Sequence, residues 1–123
     1  MIRILIDGNN LLEALKLGAN ADLVKAEQFL QGLETAAARS DWEVTAVFDG
    51  RERFLPRESG PLIVTYAKPR QTADSVIERL VYQSPDRGCV IVVTLDRAEA
   101  DLVLGLGARV WTPQRLLEEL GTQ

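Results

Sequence analysis

Two rhythms of apolar and polar positions alternate along the chain. Short, nearly continuous apolar runs, rich in β-branched residues, lie at Arg3 to Ile6, Glu43 to Phe48, Leu62 to Tyr66, Cys89 to Thr94 and Ala108 to Trp111. Runs this short, bounded by Gly, Pro, Asn or Asp, predict buried strands. Between them the apolar residues recur at helical spacing. Asn10 caps a predicted helix through Lys16 that Gly18 stops at the C′ position. A second helix starts near Asp22, with Leu23, Ala26, Phe29, Leu30, Leu33 and Ala37 on one stripe. A loop rich in charge, Gly and Pro runs from Asp49 to Pro61. After Pro69, Thr72 caps a third helix whose stripe is Val76, Ile77, Leu80 and Val81. Ser84 to Gly88 is a turn. Asp96 starts a fourth helix through Leu104, ended by Gly105 and Gly107. Thr112-Pro113 caps and starts the last, with Leu116, Leu117 and Leu120 inward.

Strands alternating with helices imply right-handed crossovers and a mainly parallel five-stranded sheet covered on both faces, an α/β three-layer sandwich. The near-continuous apolar character of strands one and four makes them central. At 123 residues, one domain over 1–123 is expected. In such a sheet, ligands bind at the carboxyl ends of the strands, where the strand order reverses.

Three of the strand runs end in aspartate: Asp7 in Asp-Gly-Asn-Asn, Asp49 in Phe-Asp-Gly, and Asp96 in Thr-Leu-Asp. Parallel neighbours would bring these carboxylates to one edge, with Asp7 and Asp96 facing across the crevice. Asp74 stands in the first turn of the third helix, with Glu78 one turn on. Plainer roles exist for each. Asp7 and Asn10 suit a strand-to-helix turn, Asp96-Arg97-Ala98-Glu99 reads as a capping box, and Asp74 suits the helix dipole. Asn9 is placed to orient a phosphate or a metal-bound water. Glu99 and Asp101 lie further along the helix that Asp96 starts, as outer ligands or as a solvated face.

Charge narrows the chemistry. The net charge of −4 argues against a broad nucleic-acid-binding surface. Residues 51 to 70 nonetheless hold Arg51, Arg53, Arg57, Lys68 and Arg70 against Glu52 and Glu58, either a solvated loop or a phosphate-binding rim. There is no His, and the one cysteine, Cys89, is expected to be an inert core thiol at the start of strand four. The apolar run at Ile4 to Ile6 is too short for a signal peptide or a membrane span, so a cytoplasmic location is expected.

Clustered carboxylates repel, and a dication offsets that cost. Without His, and with a single buried Cys, a zinc site of the usual kind is unavailable. All-oxygen ligands select Mg²⁺ or Mn²⁺, which suit phosphodiester hydrolysis. There is neither a G-x-x-x-x-G-K-[ST] loop nor a G-x-G-x-x-G, and a Ser-His-Asp triad is impossible. A phosphoacceptor receiver domain would need paired acids after strand one and a Lys after strand five, where this chain has Asp7 alone and Thr112-Pro113.

Ile-Asp-Gly-Asn-Asn at 6 to 10, Val-Phe-Asp-Gly at 47 to 50, Thr-Ala-Asp-Ser-Val-Ile-Glu-Arg-Leu-Val at 72 to 81 and Val-Thr-Leu-Asp-Arg-Ala-Glu at 93 to 99 appear in order. Together they resemble the NYN-domain proteins of the PIN-like nuclease superfamily, most closely the small bacterial YacP-like group. The resemblance implies strand order 3-2-1-4-5 and metal-dependent endoribonuclease activity; a single-stranded or looped RNA is expected, as no predicted helix looks built to read a groove. Carried over by position, the catalytic and metal acids would be Asp7, Asp74 and Asp96, with Mg²⁺ or Mn²⁺ as cofactor. Asp101, Glu99 and Asp49 compete for a fourth place. Thr94 matches a small hydroxyl residue common before the third acid, and Leu95 stands where Ser is common. Asn9, Asn10, Thr94, Arg51, Arg53, Arg70 and Arg97 are the expected substrate contacts. A non-catalytic RNA-binding or adaptor module is the alternative, and a ribosome or protein partner is left open.

Overall fold

The computed structural model describes residues 1–16, 23–49 and 57–121. Its elements follow the hydrophobic rhythm: β1 (Ile2–Asp7), α1 (Gly8–Ala14), α2 (Leu23–Ser40), β2 (Trp42–Phe48), β3 (Leu62–Tyr66), α3 (Ala73–Gln83), β4 (Val90–Val93), α4 (Arg97–Gly105), β5 (Arg109–Trp111) and α5 (Pro113–Gly121). The sheet order is β3-β2-β1-β4-β5. Neighbouring strands of this sheet pair in parallel, with Asp7 opposite Val47 and Ile6 opposite Val93. The order reverses between β1 and β4, so a ligand crevice belongs at their carboxyl ends.

Strand alternation divides the core into two layers. Ile4 and Ile6 face one way, against Leu11 and Leu12 of α1, Leu30 and Leu33 of α2 and Leu116 of α5. Leu5, Val90 and Val92 face the other, against Ile77 and Val81 of α3 and Val103 of α4. Continued one step past the apolar run, the same alternation puts Asp7 with Leu5, and Thr94 with Val92, on the α3/α4 side. Among the described residues no helix is long and apolar enough to cross a membrane.

Three local readings change. Helix α1 starts at Gly8 and is capped by Asp7, whose Oδ1 accepts the Asn10 N–H at 3.3 Å. The turn is therefore three residues tighter than a cap at Asn10 would make it. Gly8 is needed there, because a Cβ would sit 2.5 Å from Cε1 of Phe48. Strand β4 starts at Val90, not Cys89. Arg87–Cys89 form a 3₁₀ turn capped by Asp86, and the half-buried Cys89 thiol donates to Asp86 Oδ2 at 3.2 Å. It is not a core thiol, and its hydrogen bond to Asp86 pushes its pKa up. Finally, Arg57 does not join a basic rim. Its guanidinium pairs with Glu27 and Glu34 of α2, and its backbone bridges to Val64. The predicted stop at Gly18, the start at Asp22 and much of the 49–61 loop lie outside the described residues.

Candidate metal centre

Three acids from three elements meet on the α3/α4 side of the crevice. Asp7 comes from the end of β1, Asp74 from the first turn of α3 and Glu99 from the first turn of α4. One carboxylate oxygen of each lies within 4.8 Å of the other two. Asp7 is 5% and Glu99 2% exposed, while Asp74 is half-buried. Each position has a local cause. Asp7 is carried inward by the β1 alternation. The cap of α3 is made by Thr72 and Ser75, so Asp74 is not spent on it. Glu99 is one helical turn before Val103, which is fully buried, and shares its inward face.

Burial raises the pKa of Asp7 to about 6, against the lowering effect of the Asn10 N–H, with the charges of Asp74 and Asp49 adding to the rise. Burial likewise pushes Glu99 to about 9, with Asp74 and then Asp7 contributing. Oε2 of Glu99 accepts from the Thr94 hydroxyl at 3.3 Å. Oε1 is buried without a hydrogen-bond partner among the described residues. Leaving a buried carboxylate oxygen unpaired is costly. Protonation relieves the cost, as the proton can be shared with Asp74, and so does a cation. The donor set is all oxygen and carries three negative charges when ionised, which fits a hard divalent ion.

The structure brings Asp7 and Asp74 together, but the third carboxylate of the group is Glu99 and not Asp96. Oδ1 of Asp96 caps α4, accepting the Ala98 N–H at 2.9 Å and the Glu99 N–H at 3.2 Å. Asp101 is exposed on α4. Asp49 is exposed and its Oδ1 accepts the Ala73 N–H at 3.0 Å, beside Asp74. Thr94 is buried next to the acids, and its hydroxyl also accepts the Asp96 N–H at 3.0 Å. Asn9 and Asn10 spend their side-chain oxygens on the Asp49 and Leu95 amides, each at 2.7 Å. Arg70 and Arg97 are exposed at the carboxyl edge. Arg51 and Arg53 lie outside the described residues. The signal that singles out Glu99 in the sequence is its spacing from Val103. The capping-box pattern hides it by offering Glu99 another job.

Comparison with known proteins agrees with the fold. Residues 4–123 match the family profile of the YacP-like NYN domain. Crystal structures of Rae1 (YacP) from Bacillus subtilis superpose well. A tryptophan-to-leucine variant gives a TM-score of 0.77 at 25% identity, covering 98% of this chain and 74% of that one. The Rae1 structure without that substitution gives 0.74 at 26% identity, covering 99% and 75%. A search of curated proteins gave no match. The nuclease-like fold, the acid cluster at its strand reversal and the profile match over nearly every residue agree: this chain belongs to the YacP-like NYN-domain family.

Proposed function

We propose that the protein is an endoribonuclease that hydrolyses RNA phosphodiester bonds with Mg²⁺ or Mn²⁺. One observation carries the reading: three carboxylates from distant segments converge, and a buried oxygen of one of them has no partner. Metal-free, that arrangement is a defect; around a cation it is a binding site. Asp7, Asp74 and Glu99 would hold the ion. When bound, such an ion polarises a phosphoryl oxygen, makes water acidic and stabilises the leaving oxygen.

The chain's own residues supply the rest. A carboxylate oxygen of Asp7, Asp74 or Glu99 not spent on the ion would accept the proton of the attacking water. Thr94 orients Glu99 through its hydroxyl. Asp96 keeps α4 in place from its N-cap. Arg70 and Arg97, exposed at the carboxyl edge, would guide the phosphate backbone together with Arg51 and Arg53. Among the described residues no helix is built to read a groove, which favours single strands or loops as substrate.

Incubation of mixed RNAs with wild type and with Glu99→Gln, with and without Mn²⁺, tests the reading. Cleavage by wild type in Mn²⁺ alone is expected. Identical products from both proteins would retire the reading, and RNA retained intact in a metal-independent complex would replace the nuclease with a binding module.

A further inference from the structure

Two adjacent asparagines leave the first turn of α1 toward opposite neighbours. Oδ1 of Asn9 accepts the N–H of Asp49, the first residue past β2, at 2.7 Å. Oδ1 of Asn10 accepts the N–H of Leu95, two residues past β4, also at 2.7 Å. β2 and β4 are the two strands that flank β1. Amides just beyond a parallel ladder have no strand partner, and each asparagine supplies one across 40 or 85 residues of sequence.

Both bonds continue toward a carboxylate. Asp49 Oδ1 accepts the Ala73 N–H at the start of α3, next to Asp74. Asn10 Oδ1 lies 3.3 Å from the Thr94 hydroxyl, which lies 3.3 Å from Glu99 Oε2. The hydroxyl has one proton for these two acceptors and donates to one at a time, while the Leu95 N–H stays on Asn10 Oδ1 in either case. Asn9 thus secures the loop that seats α3, and Asn10 secures the loop that seats α4.

We propose that Asn9 and Asn10 are positioning residues that set the width of the ion site, Asn9 acting on Asp74 through Asp49 and Asn10 acting on Glu99 through Thr94. Like charges push the three acids apart, and the asparagines would resist that at the backbone amides of Asp49 and Leu95. Mg²⁺ demands short, near-octahedral oxygen contacts, whereas Ca²⁺ accepts longer and more flexible ones. A site widened by loss of either strut therefore loses Mg²⁺ more than Ca²⁺. This inference rests on the ion-binding reading above, and its test separates the two.

Calorimetric titration of Mg²⁺ and of Ca²⁺ into wild type, Asn9→Ala, Asn10→Ala and Asn10→Asp is the main measurement. Amide exchange of the metal-free proteins by NMR accompanies it. Asn10→Ala is expected to lower Mg²⁺ affinity roughly 10–100-fold, as loss of an outer-shell partner does, with a smaller loss for Ca²⁺. Asn10→Asp keeps the accepting oxygen but adds a charge that acts on both ions alike, so its Mg²⁺-to-Ca²⁺ affinity ratio is expected to stay within about threefold of wild type. Exchange at Leu95 should quicken in Asn10→Ala alone, and exchange at Asp49 in Asn9→Ala alone. With the ion site saturated, KM for RNA tells positioning from direct contact, and it is expected to be that of wild type. Wild type that binds neither ion defeats the metal reading itself. Wild type that binds Mg²⁺, with both alanine variants unchanged in the Mg²⁺-to-Ca²⁺ ratio, defeats the positioning role. A raised KM at unchanged Mg²⁺ affinity also defeats it, and puts the asparagine amides on the RNA.

Discussion

Helices α3 and α4 open with similar signals and use them differently. In α3 the cap closes on itself: Thr72 Oγ1 accepts the Ser75 N–H at 3.1 Å, and Ser75 Oγ accepts the Thr72 N–H at 3.2 Å. Asp74, lying between them in sequence, is left to the crevice. In α4 the exchange is one-sided. Asp96 caps the helix, but its own N–H goes to the Thr94 hydroxyl instead of to Glu99. Glu99 turns inward. A cap and a ligand can thus sit within one turn, and the hydroxyl at the end of the preceding strand decides which acid takes which role. Reciprocal capping is a local preference worth about 1 kcal/mol, small enough for a buried site to override.

The largest expected effect separates the two acids of α4. Glu99→Gln should abolish the Mn²⁺-dependent rise in melting temperature and lower RNA cleavage by on the order of 100-fold or more. Asp96→Asn keeps a capping oxygen and should hold both within about fivefold. Thermal melts followed by fluorescence of Trp42 and Trp111, with cleavage assays alongside, check this. Equal losses in the two variants would erase the distinction between cap and ligand.

The next effect is on pH dependence without metal. Asp7 at about 6 and Glu99 at about 9 are raised above ordinary carboxylates. The folded protein therefore binds more protons than the unfolded chain from about pH 4 up to those values. Stability is fully present below about pH 4, the unfolded carboxylate range. It falls as pH rises through 6 for Asp7 and toward 9 for Glu99. A loss on the order of 1–3 kcal/mol between pH 5 and pH 9 is expected from urea unfolding. Glu99→Gln should flatten the alkaline part, since an amide carries no charge. Saturating Mg²⁺ should restore wild type at pH 9 by mass action. A metal-free protein that gains stability across this range would contradict the burial of these acids.

The smallest effects compare the caps themselves. Thr72→Ala and Asp96→Ala should each cost about 1 kcal/mol. Ser75→Ala, which removes only the returning half of the α3 box, should cost a few tenths. Urea midpoints at unchanged slope measure both. A larger loss for Ser75→Ala than for Thr72→Ala would reverse the roles assigned within the box.

Much of this was legible in the sequence. The five apolar runs become the five strands, and Thr72, Asp96 and Thr112 stand where their helices begin. Period and punctuation suffice because these elements are short and buried on both faces. Asp7 is legible from its strand end, where the sequence pairs it with Asp96, whereas Asp74 joins the acids only through the family resemblance, because an acid in a first helical turn already suits the helix dipole. The cap of α1 is not legible: Asp7 and Asn10 both suit the position, and the choice depends on Phe48 lying against Gly8. Glu99 was partly hidden, because a Glu three residues after a capping Asp has a ready local explanation. Arg57 joined a basic stretch in sequence but pairs with α2 in space, and no one-dimensional pattern encodes that pairing.

The most direct measurement is an anomalous difference map from crystals grown with Mn²⁺. The account predicts a peak in contact with the carboxylates of Asp7, Asp74 and Glu99, with Asp96 still on the amides of α4. A peak held by Asp96 or Asp101 with Glu99 turned away, or no peak at saturating Mn²⁺, would contradict it.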